Sequence, residues 1–372
     1  MKYWRGYLVA GLLAALGWGL TEFARNHVTL MDMVYPYMSR MIVTSMADWS
    51  ANVDFCVWQV LLVVGIVAIL ATAVLMLVLK WNPIQWLGWV LAAVALVSVL
   101  NTGVYELNAY TGDLNEDLRL TVQEYNISDL ETAALHFQKK ANEWCGQVKR
   151  DSNGHVYHSD FAQLAEQAGD GFEFLTYEEG LSVFAGSRMP VKQLGMEQLF
   201  PDVAGMTVGL TGESAINPNV PHALQPFVIC REMSRRMSIY HERDASFASI
   251  TACIVNENPA YRYSGYLTAY YFCREALAAE TTTTGKAAYM RVIEKEDAKV
   301  TKDLETYGNW LGEYIPDPEQ TQIHDLMVSW YINEYVLPNL IVEEELFDPM
   351  DKTQVDLSTT IVDITETEDD DE

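Results

Sequence analysis

Basic side chains are scarce. In 372 residues, 24 lysines and arginines face 51 aspartates and glutamates, leaving a formal charge of -27. A surface that acidic repels phosphate backbones, which sets nucleic acid aside as a partner. Cysteine is thin as well. Cys56, Cys145, Cys230, Cys253 and Cys273 fall at spacings that match no zinc finger, zinc ribbon or thioredoxin-like motif. Each sits among large hydrophobic residues, so buried free thiols are expected, with a disulfide among the last four as the alternative. No Gly-rich phosphate loop, G-x-S-x-G elbow or nucleotide fingerprint occurs. Nucleotide-driven and serine-hydrolase chemistry therefore have no motif to rest on.

Charge is missing outright from residues 56–79, CVWQVLLVVGIVAILATAVLMLVL, a run long enough to cross a bilayer. Residues 6–24 form a shorter apolar stretch behind Lys2 and Arg5, and residues 84–101 a third, with Trp86 and Trp89 near one interface. The first could be a signal peptide, but no clean small-x-small cleavage site precedes Glu22, which favours an uncleaved helix. Residues 1–102 thus read as a membrane region with three spans. They hold only Glu22, Asp32, Asp48 and Asp54 against Lys2, Arg5, Arg25, Arg40 and Lys80, so the acidity belongs to the remainder. Lys2, Arg5 and Lys80 favour the cytoplasmic side, which puts residues from 103 onward outside the cell. The lipid bilayer is the first partner implied. Residues 25–55 either lie along the outer surface or pack onto the soluble part.

That soluble part reads as mostly helical. Ser128 and Glu131 suggest a capping box ahead of Leu130, Ala134, Phe137, Ala141 and Trp144. Residues 146–160 are polar and turn-like, and LSVFAG and GMTVGLTG between 181 and 212 look like short strands. Helices are expected at 224–241, 244–257, 261–279, 286–307 and 319–337, with the threonines 281–284 in a loop between two of them. The tail 358–372 is too acidic to pack and is expected to be disordered. The fold class is mainly α, of the α+β kind, with a small sheet.

One helix carries a pattern with chemical meaning. Pro226, Cys230, Met233, Met237 and Tyr240 recur at alternating spacings of four and three, an apolar stripe. Arg231 and Arg235 stand four apart on another face, with Glu232 beside them. That is the layout of the zinc motif H-E-x-x-H, in which two imidazoles bind metal and the glutamate activates water. Here both imidazole positions are guanidiniums, which do not lose a proton to bind zinc. The bland reading is a surface helix with a Glu232–Arg236 pair. Against it, Arg231 over Arg235 is a like-charge pair that needs anions, and Glu242 and Asp244 follow the turn. Histidines offer few substitutes: His155 and His158 lie in a turn, while His222 and His241 flank the helix at opposite ends. A displaced site from His241, Glu242 and Asp244 is the remaining option.

From about Tyr35 to Leu357 the chain resembles a bacterial membrane family, domain of unknown function 3810, whose members look like membrane-anchored zinc metallopeptidases. The matching residues are Tyr35-Pro36-Tyr37, Leu107-Asn108-Ala109-Tyr110, Pro190-Val191-Lys192, Thr211-Gly212-Glu213-Ser214-Ala215-Ile216-Asn217 and Tyr263-Ser264-Gly265-Tyr266. The family's H-E-x-x-H-x-x-G and E-D-E-A-N-F fall on Arg231, Glu232, Arg235 and Ser238, then on Glu242 to Phe247. The resemblance implies a zincin-like domain over 103–357. It makes Glu232 a vestigial general base, Arg231, Arg235, Asp244 and Glu242 former metal-ligand positions, and Glu213 and Asn217 candidates for a substrate groove beside an edge strand near 205–212. The expectation is a multi-pass cell-membrane protein without cofactor, metal or catalysis, holding a peptide or a membrane protein. The alternative is a working zinc peptidase with atypical ligands and Glu232 as base.

Overall fold

The computed structural model describes residues 2–118, 120–201, 203–311 and 323–336. Four long helices open the chain: α1 (Arg5–Asn26), α2 (Val28–Ser50), α3 (Val57–Val78) and α4 (Pro83–Val104). Three of them, α1, α3 and α4, are long and apolar enough to cross a membrane. α1 and α4 pack closely because glycines face each other; a Cβ on Gly6 would come within 2.5 Å of the Gly88 carbonyl carbon. The α3–α4 turn is set by Asn82, whose side chain accepts from the N–H groups of Ile84 and Gln85.

The rest of the chain is a helical domain built on a three-stranded sheet. After the single turn α5 (Leu114–Asp117) come α6 (Ile127–Trp144) and α7 (Phe161–Tyr177). Then follow β1 (Lys192–Gln193), β2 (Gly205–Val208) and β3 (Glu213–Ile216), in the order β1-β3-β2. β3 is central, parallel to β1 and antiparallel to β2, with Thr207 opposite Ser214. α8 (Gln225–Arg236), α9 (Glu242–Val255), α10 (Pro259–Ala279), α11 (Thr283–Ile293), α12 (Ala298–Leu311) and α13 (Ile323–Tyr331) complete the described part. α8, α9 and α10 run through the middle, burying Ile229, Met233, Phe247, Tyr263 and Tyr270 against Phe137 of α6 and Phe172 of α7. The five cysteines are free and buried.

Several details differ from the sequence reading. The box that starts α6 is Asn126 with Asp129, because Ser128 already lies inside the helix and Glu131 is drawn away to Arg291 at 2.6 Å. LSVFAG is a 3-10 turn over Ser182–Phe184, its first carbonyl taken by Ala185 N–H and by Arg40. The helix expected over 286–307 breaks into α11 and α12, since the Asp297 carboxylate accepts from Lys299 N–H at 2.8 Å and starts a new helix. The threonine run is a helix start, with Thr282 capping α11. α7 had no counterpart in the sequence reading. The expected tail 358–372 lies outside the described residues.

α2 has one face packed on other parts of the chain, the second of the two arrangements expected for residues 25–55. Ser39 donates to the Val104 carbonyl at 2.8 Å, and Arg40, buried, donates to the carbonyls of Met237 and Ser182 at 2.9 and 3.1 Å.

Candidate functional site

α8 and α9 form a helix–turn–helix on one side of the sheet, and the pattern Arg231-Glu232-x-x-Arg235 lies on the face of α8 turned toward both. Arg231 donates from Nη2 to Glu232 Oε1 at 3.0 Å and from Nη1 to Glu242 Oε1 at 3.1 Å. Arg235 donates to the other oxygen of Glu242. Glu242, in the first turn of α9, is therefore held by both guanidiniums, and two helices are joined through it. The side chains of Glu232 and Glu242 are 1% and 8% exposed, so water does little of this work. Burial by itself pulls both arginines down, but the attraction of Glu242 and then of Glu232 outweighs it, and both end above free arginine.

The sheet completes the enclosure of Glu232. Thr207, on the edge strand β2, donates to Glu232 Oε2 at 3.0 Å, and Ser214, on β3, donates to the Glu232 carbonyl at 2.8 Å. Gly205 lets β2 approach: a Cβ there would meet Glu232 Cγ at 2.6 Å. Behind the helix, the Tyr105 hydroxyl reaches the Arg235 carbonyl at 3.4 Å, and its ring lies 5.6 Å from that of Tyr240.

Other expected site residues stand elsewhere. Asp244 turns away from both arginines and accepts from Leu114 N–H at 2.9 Å and from Arg243 at 3.1 Å. Glu213 and Asn217 are buried and engaged with the backbone. Glu213 takes the N–H groups of Val57 and Trp58, while Asn217 donates to the Phe200 carbonyl and accepts from Asn219 N–H. His158 and His222 hold each other, His158 N–H donating to His222 Nδ1 at 3.0 Å with the rings stacked. Among the described residues, no three His, Cys, Asp or Glu side chains are grouped so that they could hold a metal ion. Sequence alone assigned no site role to Thr207, Ser214 or Tyr105; the Thr207–Ser214 pairing was available only once the register of the hairpin was known.

α8 ends in a Schellman turn, with Ile239 N–H bonded to the Ser234 carbonyl and Ser238 N–H to that of Arg235. Ser238 occupies the left-handed position, φ 72°, where glycine is favoured, and its buried hydroxyl finds no partner among the described residues. The resemblance noted above places a glycine here. Ser238→Gly is expected to stabilise the protein by about 1 kcal/mol, through relief of the left-handed backbone and loss of an unsatisfied hydroxyl. A thermal or denaturant melt beside the parent measures it, and a loss of stability would show that the serine is held by contacts worth more than the strain.

The fold and site together define a membrane-associated, mainly helical protein with a small sheet and a buried arginine–glutamate cluster between two helices. The family model described as "Protein of unknown function (DUF3810)" matches residues 31–335, and the chain belongs to that family. It matches no curated protein and no solved structure.

Proposed function

We propose that this chain is a membrane-anchored relative of zinc metallopeptidases that has lost catalysis and binds a peptide or protein at the membrane, its zincin-like domain on the extracytoplasmic side. The observation that carries the reading is the bridging of Glu242 by Arg231 and Arg235. Two guanidiniums occupy the positions where H-E-x-x-H would put imidazoles, and they supply to the two carboxylates the positive charge a divalent ion would bring. The donor set does not fit a catalytic zinc, which takes about three protein ligands with an open fourth position. Glu232 has both carboxylate oxygens engaged, by Arg231 and by Thr207, and is placed to hold the sheet to the helix rather than to activate water. β2 stands at the edge of the sheet beside Glu232, where an extended peptide adds by backbone hydrogen bonds.

The test uses the full chain in detergent or nanodiscs. Metal analysis is expected to find no stoichiometric zinc, and hydrolysis of a mixed peptide substrate is expected not to exceed that of Glu232→Gln. One zinc per chain, with cleavage abolished in Glu232→Gln, would establish the catalytic alternative instead.

A further inference from the structure

The exposed face of α2 is apolar in a way its place in the fold does not require for packing. Met31, Ser39, Val43, Ala47 and Ser50 are buried on one side of the helix. On the other, Leu30, Met33, Val34, Tyr37, Met38 and Met41 stand 44–68% exposed over three turns, with no charge among them. Asp48 is the first charge on that side, and the exposed rings of Trp49 and Phe55 follow it.

The ends of α2 fix where that face lies. At its start, Met31 packs with Ala24 of α1 and with Leu107, just beyond α4, and Arg25 lies over the Tyr110 ring. At its finish the chain enters α3, whose first two N–H groups are held by Glu213 of β3. The β2–β3 turn that leads into Glu213 also rests on Tyr105 at the end of α4, since a Cβ on Gly209 would meet the Tyr105 Cβ at 2.3 Å. The last turns of α1 and α4 and the first turn of α3 are thus at one level. α2 joins them over roughly 34 Å, 23 residues at 1.5 Å each, so it runs along that level and not through it.

We infer that α2 is an in-plane membrane helix, its Leu30–Met41 face seated at the boundary between headgroups and acyl chains of the leaflet where α1 and α4 end. The occupant is lipid because the face is continuous with spans that end in that leaflet, because it is apolar and uncharged, and because the opposite side is already committed to protein. Interfacial aromatic rings at Tyr37, Trp49 and Phe55 fit the same depth. The consequence reaches the site. Arg40, on the protein side of α2, holds the carbonyl of Met237 at the end of α8. The Arg231–Glu242 cluster is therefore carried at a set height above the bilayer, beginning about one helix diameter, ~10–12 Å, from it. Its ligand is then a segment presented close to the membrane surface. The inference rests on α1, α3 and α4 crossing the bilayer, and the control below separates the two.

A small fluorophore is attached to Met33→Cys, Met41→Cys, Val67→Cys in the middle of α3, or Asp151→Cys in the soluble domain, one at a time. The five native thiols are buried and do not compete. Nanodiscs are made with lipids brominated either near the headgroup or near the chain end. Met33 and Met41 are expected to lose most of their fluorescence to shallow bromine and less to deep bromine, Val67 the reverse, and Asp151 none. Quenching at Val67 but not at Met33 or Met41 overturns the placement of α2 while leaving the spans intact. No quenching at Val67 overturns both.

Discussion

Arg231→Met is expected to destabilise the protein by about 3–5 kcal/mol, the range for removing one partner of a buried ion pair. The side chain is 11% exposed and touches both Glu232 and Glu242, so its loss leaves two nearly dry carboxylates, Glu242 still held by Arg235 but Glu232 without a contacting guanidinium. Arg235→Met is expected to cost less, about 1–2 kcal/mol, because Arg235 is 27% exposed and water can take over part of its role. The double variant Arg231→Met with Glu242→Gln removes one charge of each sign. It should recover a substantial part of the loss, so that the two changes are non-additive by 1 kcal/mol or more. Chemical denaturation of the full chain in detergent, read at matched conditions, gives all four corners of the cycle. Additive effects below 1 kcal/mol would mean the cluster is a surface feature, and the idea of guanidiniums doing the joining once done by a metal would go with it.

How far the sequence led to this cluster depends on geometry it does and does not contain. Arg231, Glu232 and Arg235 were legible because the i, i+4 relation on a helix is local. The acid from the next helix was only half legible. Glu242 and Asp244 are two residues apart in one turn, which puts them about 200° apart around α9. One of them had to face α8, and the choice depends on how α9 is rotated against it, which no local pattern states. Glu242 faces the arginines, and Asp244 faces Leu114 and Arg243. The three long apolar helices were legible from hydropathy because their length and composition are local to each segment. α7 was not, because its apolar positions Leu164, Ala168, Phe172 and Leu175 are diluted by Gly169 and Gly171. Gly171 is there for a reason outside its own segment: a Cβ on it would come within 2.1 Å of the Ala252 carbonyl of α9. The partners of Glu213 were hidden for the same kind of reason. Its neighbours come from α3 and β1, far away in the chain.

Those neighbours make Glu213 the second position where a single change should be costly. Its side chain is fully buried, and it accepts from Val57 N–H at 2.8 Å, Trp58 N–H at 2.9 Å and Lys192 Nζ at 2.7 Å. The first two are N–H groups that a helix start leaves without intrahelical partners, and a carboxylate there also faces the positive end of the α3 dipole. Lys192, on β1, completes the joint by donating to the carbonyls of Ser50, the last residue of α2, and Phe55, shortly before α3. Glu213→Ala therefore leaves the Lys192 ammonium without its counter-ion and two backbone donors without their acceptor, and about 3–5 kcal/mol of stability should go with them. Glu213→Gln keeps the shape and one acceptor and should lose less. The location of the damage tells this joint from a general core defect. Hydrogen exchange at Val57 and Trp58 should accelerate in Glu213→Ala more than exchange in α8 or α10, because α3 is tied to the soluble domain there. Uniform acceleration across the sheet and helices, with α3 no worse than the rest, would instead make Glu213 an ordinary core residue. It would also mean that the sheet does not hold the first turn of α3 in place.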